Sequence, residues 1–452
     1  MPIQRIQNLK INFRVYFNLI KLLLILVTVI SCTCNQPGNK KDKKPIILND
    51  SPNQKNGNPI TNEMIDAAKA AGKSFLADVL TKLQKGEAVD VNVPSINITD
   101  LKDTPLIQAA EVGNLAIINI LIERGAKVNA TNRLGYTALY TAAYSGHTEI
   151  LLKLIEEGAE VNKKEDIYNN TPLHSAAGTS HIETITKLIE KGAQVDIKNQ
   201  CGDTPLHYAA RYGRTNIALK LIESGTDINV TNRLGYTALH IAAMYGHTET
   251  VLALIDKGAN VNAENEDGNT PLHLATQFGH TETVSKLLEN GAILDIMDKD
   301  GNTALTLAAM KDHPDIVLKL IKEGADANIK NKKGLNILYY VIETNHPEIA
   351  LTLMEKVKGI EVNTIDRYGD TPLHIAAEFG YTELLLKLIE KGTDINKKDK
   401  YGATPLHLAV ESEHTDTVLK LIEKGAKKDI KNNKGETPLD VAKTQEIRDL
   451  LK

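Results

Sequence analysis

Residues 371–377 read Thr371-Pro372-Leu373-His374-Ile375-Ala376-Ala377, and the same order returns at Thr171 to Ala177 and at Thr204 to Ala210. Each position has a physical role at the start of a helix. Threonine supplies an N-cap oxygen. Proline takes the first helical position, where its missing N–H costs nothing. Histidine, three residues after threonine, can reach back to the cap. The paired alanines let a neighbouring helix approach closely. The stretch therefore predicts a short helix packed against others.

Working outward, the anchor recurs at Thr104, Thr137, Thr171, Thr204, Thr237, Thr270, Thr303, Asn336, Thr371, Thr404 and Thr437, with 33 residues between anchors except for one interval of 34 and one of 35. Self-similarity at such a period marks a stack of small units rather than a closed core. After each alanine pair comes an aliphatic run, such as Ile150 to Ile155 or Val251 to Ile255, which predicts a second helix whose apolar face supplies the core. Gly125, Gly158, Gly192, Gly225, Gly258, Gly291, Gly324, Gly392 and Gly425 lie 21 residues after their anchors, where that second helix should end in a left-handed residue. Another glycine lies two residues before the anchor at Gly135, Gly202, Gly268 and Gly402, fitting a hairpin tip; the third unit has Asn169 there instead. Asparagine tolerates positive φ better than most residues.

The unit Thr-Pro-Leu-His-x-Ala-Ala with this period resembles the ankyrin repeat family. The resemblance implies an all-α solenoid of helix-turn-helix units with hairpin loops, stacked side by side. Residues 104–436 read as ten repeats and 437–452 as a partial C-terminal capping repeat. Residues 61–103 read as a degenerate N-terminal capping repeat, with Phe75, Leu76, Val79, Leu80 and Leu83 on one helical face. The eighth repeat departs furthest. Asn336-Ile337-Leu338-Tyr339 replaces the helix-start motif, and Val357 and Lys358 are inserted before Gly359. A distorted or longer second helix is expected there, with the insertion tolerated as a loop.

The first sixty residues have a different character. Arg5, Lys10, Arg14 and Lys21 precede an uncharged apolar run from Leu22 to Ile30, with no acidic residue before it. This is a signal-peptide layout, and the run is shorter than the about 20 residues a membrane-spanning helix needs. Val29-Ile30-Ser31-Cys32 resembles the lipobox of bacterial lipoproteins, with the bulky Ile30 a departure from the commonest pattern. The resemblance implies a lipoprotein-type signal peptide over 1–31 and lipidation of Cys32. Residues 32–60, rich in Asn, Lys, Pro, Gly and Asp, then form a flexible linker. The implied location is the bacterial cell envelope, lipid-anchored at the outer membrane or cell surface. The alternative is a secreted effector that binds host proteins.

Composition narrows the function. With 53 basic against 57 acidic residues the net charge is −4, so there is no electrostatic case for a nucleic-acid partner. Three cysteines, Cys32, Cys34 and Cys201, provide neither a disulfide framework nor a four-ligand metal shell, and Cys201 is expected as an exposed turn residue. All 13 histidines fall on the repeat pattern. His174, His207, His240, His273, His374 and His407 belong to the helix-start motif; His147, His181, His247, His280, His313, His346 and His414 lie ten residues after their anchors. No Gly-x-x-x-x-Gly-Lys-Ser/Thr loop occurs. The sequence therefore predicts a non-enzymatic protein with no catalytic residues, no cofactor, no metal and no small-molecule substrate.

What remains is a protein partner. In ankyrin arrays the hairpin tips and the exposed side of the first helix form a concave binding face. The matching positions here hold Tyr136, Tyr144, Tyr168, Tyr212, Tyr236, Tyr245, Phe278, Tyr368, Phe379 and Tyr401. Exposed aromatics on a rigid surface bury much area for little lost freedom. Arg133, Arg211, Arg233 and Arg367 lie among them and suit a carboxylate-bearing partner edge. Thr131 to Leu139 repeats as Thr231 to Leu239, an offset of 100 residues or three units, which reads as a duplicated three-repeat block.

Overall fold

Thr137 shows how each repeat begins. Its backbone is extended, its side chain accepts a hydrogen bond from Tyr140 N at 3.1 Å, and the helix Ala138–Ser145 follows. The computed structural model describes residues 59–95 and 101–452. Signal peptide, lipidation residue Cys32 and nearly all of the linker lie outside the described residues. The fold is all-α. Paired helices follow one another along the chain, and no strand occurs among the described residues.

The helices gather into two compact units. One runs to Tyr208; the other holds Asp227–Lys452, and the fourth repeat is divided, with Ala209–Ile222 in the second unit and Glu223–Thr226 in the first. In the first unit, Pro105–Val112, Ala138–Ser145 and Pro172–Ala177 are successive first helices, each packed on the next. In the second unit the same role falls to Ala238–Met244, Pro271–Gln277, Ala304–Met310, Ile337–Glu343, Pro372–Phe379 and Pro405–Glu411. Alanine pairs make that approach close. Ala142 and Ala143, and likewise Ala376 and Ala377, are wholly buried.

Second helices complete the core. In Thr148–Glu156 the buried residues are Ile150, Leu151 and Leu154; in Thr382–Glu390 they are Leu384, Leu385 and Leu388. Each such side chain contributes about 1.5–3 kcal/mol. Their N-terminal threonines also tie neighbours together: Thr148 and Thr184, Thr248 and Thr283, and Thr382 and Thr417 share hydroxyl hydrogen bonds of 2.8 Å. Gly158 and Gly258 end second helices with φ of 88° and 94°, and Asn169 holds the third repeat's tip at φ 59°.

Both ends keep the pattern in reduced form. Thr61 caps Asn62–Ala70, and Ser74–Gln84 buries Leu76, Val79, Leu80 and Leu83, with Phe75 half-buried. At the C-terminus Pro438–Val441 and Gln445–Leu451 bury Ile447 and Leu451. The eighth repeat has a second helix of ten residues, Pro347–Lys356, where its neighbours have nine. Cys201 departs from the sequence reading: it is half-buried at a hairpin tip.

Candidate protein-binding surface

Any surface offered to a partner depends on what holds the repeats in register, and histidine does much of this. In the third repeat Thr171 N donates to His174 Nδ1 at 3.2 Å, closing the cap. That fixes the tautomer, because Nδ1 accepts, so the proton sits on Nε2. His174 Nε2 then donates to the backbone oxygen of Asp203 in the next repeat at 3.0 Å. His240 does the same with Asn269 O at 3.0 Å, His273 with Asn302 O at 3.3 Å and His407 with Glu436 O at 3.1 Å. Burial drives the pKa of His174 down to about 4 and holds His273, His374 and His407 below the ordinary range. These rings are neutral fasteners, with both nitrogens of His174, His240, His273 and His407 engaged.

The second set of histidines reaches backward. His247 Nε2 bonds Arg211 O at 2.9 Å, His280 bonds Met244 O at 2.9 Å, and His414 bonds Glu378 O at 3.0 Å. The sequence reading found the cap and the turn but not these bonds between repeats. Their signal was the shared 33-residue spacing itself.

On this frame the aromatic residues divide. Tyr144, at 64% exposure, Tyr212, Tyr245, Phe278, Tyr368, Phe379 and Tyr401 are exposed. Tyr136, Tyr168 and Tyr236 are half-buried. Tyr136 stacks on Tyr140 of its own repeat with ring centres 4.5 Å apart, and Tyr236 meets the His240 ring edge-on at 5.9 Å. Within the second unit, Tyr212, Tyr245 and Phe278 stand at the ends of successive first helices. Tyr245 stacks on His247 and Phe379 on Tyr381. Those rings are held flat at the surface, so little side-chain freedom remains to be lost on binding. Arg133, Arg233 and Arg367 are exposed, and Arg211 is half-buried.

A sequence profile described as "Ankyrin repeats (3 copies)" matches residues 64–165, 162–232, 199–265, 220–300, 239–331, 305–399 and 373–452. The chain belongs to the ankyrin repeat family. Its array of paired helices is an ankyrin-repeat fold, and such repeats act as protein-binding scaffolds. A search of curated proteins returned no match. Among the described residues no helix is long and apolar enough to cross a membrane, and no three His, Cys, Asp or Glu side chains are grouped to hold a metal.

One feature of this ankyrin array escaped the sequence reading. A pocket of about 510 Å³ opens between repeats 8 and 9, lined by Lys333, Leu335, Tyr339, Tyr340, Glu343, Ile365, Asp366, Arg367 and Tyr368. Only Arg367 and Tyr368 were expected at a surface. The 35-residue interval was the available signal, read as a tolerated insertion.

Proposed function

We propose that this protein is a non-catalytic scaffold that holds a protein partner on the tips and first helices of its ankyrin repeats, tethered by lipid on Cys32 to a bacterial envelope. The observation that carries the binding role is the division of labour among side chains. Histidines such as His247 and His280 are occupied in bonds between repeats, while Tyr212, Tyr245 and Phe278 stand exposed on consecutive repeats. Aromatic side chains so placed supply interface area at low entropic cost. Tethering rests on Val29-Ile30-Ser31-Cys32 and the apolar run before it. Residues 1–31 are then the signal peptide and 32–60 the linker, followed by the capping repeat 61–103, ten repeats over 104–436 and the partial repeat 437–452.

Two measurements test these parts separately. For the anchor, the mass and detergent partitioning of the mature protein are compared with Cys32→Ala. An acylated N-terminal Cys32, with the variant leaving the detergent phase, supports the tether; an unmodified soluble chain refutes it. For the surface, in-cell crosslinking of the natural chain is compared with a triple Tyr212→Ala, Tyr245→Ala, Phe278→Ala variant. Loss of a defined crosslinked protein, with the fold intact by circular dichroism, is expected; an unchanged crosslinking pattern removes this surface from the binding role.

A further inference from the structure

Within the second unit, neighbouring hairpin tips are tied by one backbone hydrogen bond at every junction but one. Glu266 N donates to Leu234 O at 3.1 Å, Lys299 N to Asp267 O at 2.8 Å and Lys332 N to Asp300 O at 2.9 Å. Further along, Lys400 N donates to Tyr368 O at 2.7 Å and Asn433 N to Tyr401 O at 2.8 Å. The matching bond from Arg367 N to Lys333 O, between repeats 8 and 9, is absent among the described residues. Tip glycines register the same gap. A Cβ added to Gly235, Gly301 or Gly369 would meet backbone of the next tip at 2.6, 3.0 and 2.8 Å, whereas one on Gly334 would enter open space. Val357 and Lys358 supply the extra length that lets these tips part. Other contacts hold the repeats together: Tyr339 Oη donates to Asp366 Oδ2 at 3.0 Å, Asn336 Nδ2 to Glu361 O at 2.8 Å, and Lys330 pairs with Glu361 at 2.6 Å.

The parted tips frame the pocket described above. Three tyrosines, Tyr339, Tyr340 and Tyr368, line it with Glu343 and Asp366, and with the cations Lys333 and Arg367. Glu343 is exposed and has no lysine or arginine within ion-pairing distance among the described residues. Desolvation in the pocket wall, and then the Asp366 carboxylate, push its pKa up, and the Lys333 ammonium offsets part of that rise. At the equivalent position of the next two repeats stand Glu378 and Glu411, so the carboxylates form a row. This aromatic wall already accepts a guanidinium: Arg367 lies over the Tyr368 ring at 4.6 Å from its centre.

We propose that the pocket between repeats 8 and 9 receives an arginine side chain of the partner protein, its guanidinium set against the tyrosine rings and paired with Glu343. This deepens the scaffold reading and rests on it. Arginine fits better than lysine because its flat, weakly hydrated head stacks on aromatic faces and pairs in a fork with a carboxylate. Packed helices lie about 8–10 Å apart, which is about one three-residue turn of a polyproline II chain, whose every third side chain returns to the same face. A segment with a basic residue at every third position therefore continues from Glu343 to Glu378 and Glu411.

The test uses the full chain and fluorescent acetyl-(Arg-Gly-Gly)4-amide, its citrulline counterpart and its lysine counterpart, read by anisotropy at low and moderate salt. The arginine peptide is expected to bind tighter than the other two. Glu343→Gln is expected to weaken it about tenfold, whereas Glu149→Gln, an exposed carboxylate of the first unit, changes it less than twofold. Tyr368→Leu, exposed at a tip, serves as a second variant should Glu343→Gln perturb the fold. Equal binding of the citrulline peptide, or a Glu343→Gln effect no larger than that of Glu149→Gln, overturns the proposal. If the triple aromatic variant still loses its crosslinked partner in that case, the scaffold reading stands and only the arginine pocket falls.

Discussion

At the residue scale, the protonation of a few buried groups sets how stability responds to pH. His174 has a folded pKa of about 4 against an ordinary 6.5. As pH falls, the unfolded chain takes up this proton first, so the stability His174 contributes is full above about pH 6.5 and is lost on the way down to about 4. His174→Ala removes a cap and a bond to the next repeat, leaving buried partners unpaired. It is expected to cost about 2–4 kcal/mol at neutral pH and clearly less near pH 5, measured by urea unfolding. Asp370 behaves in the opposite sense. Burial, and then Asp366 and Asp399, raise its pKa to about 7 from 3.8, so its penalty is full above about pH 7 and vanishes as pH falls toward 3.8. In the corresponding place Asn302 donates to Asp298 at 3.1 Å and accepts from Asn331 at 2.9 Å. Asp370→Asn should therefore stabilise by on the order of 1 kcal/mol near pH 8, after allowance for solvent screening, with the gain shrinking in acid. A gain that grew toward pH 5 would contradict this assignment.

Glycine separates two kinds of position at the scale of helices and turns. Gly246, between the helices of the fifth repeat, has φ 69°, and a Cβ there would lie 2.5 Å from the His280 ring of the next repeat. Gly258, after the second helix, has φ 94° with open space around it. Replacing either by alanine incurs the left-handed cost of about 1–2 kcal/mol, and only Gly246→Ala also displaces His280 from Met244 O. Gly246→Ala is thus expected to lower the unfolding midpoint more than Gly258→Ala; equal effects would mean that the His280 contact carries no weight. Helix starts were plain in the sequence because Thr, Pro and His each do a local job. The parting of the tips at repeat 8 was not, because it follows from an insertion acting at a distance through the next repeat's backbone. Deleting Val357 and Lys358 is expected to restore the bond from Arg367 N to Lys333 O. Hydrogen exchange at the Arg367 amide should then slow at least about tenfold; unchanged exchange would place the cause of the gap elsewhere.

Across the molecule, stability is a sum over neighbours rather than the property of one core. Ending the chain after Glu436 would remove Ile447 and Leu451 from their packing and uncover the tenth repeat. Amides of Thr415–Glu423 are expected to lose protection by at least about tenfold in hydrogen exchange, while those of Thr148–Glu156 stay unchanged. A uniform loss would show that the array unfolds as one cooperative body. The all-α class could be read from spacing, since the helix-start anchor recurs eleven times. Surface placement was harder to read. Tyr136 and Tyr236 sit one residue before their anchors, where the ring can turn inward onto the residue at Tyr140 or His240. Sequence position alone does not choose between that inward turn and solvent.

The histidine fasteners bear on how such a chain can lengthen over generations. Each bond runs from a fixed place in one repeat to a fixed place in the next, as from His174 to Asp203 or from His273 to Asn302. A copied block of whole repeats thus arrives with every donor and acceptor already in phase. The echo of Thr131 to Leu139 in Thr231 to Leu239 has the form that such copying would leave. Slippage out of phase is heritable only where one missed junction can be borne. Repeat 8, two residues longer than the 33-residue period, is where such a missed junction stands beside a cavity.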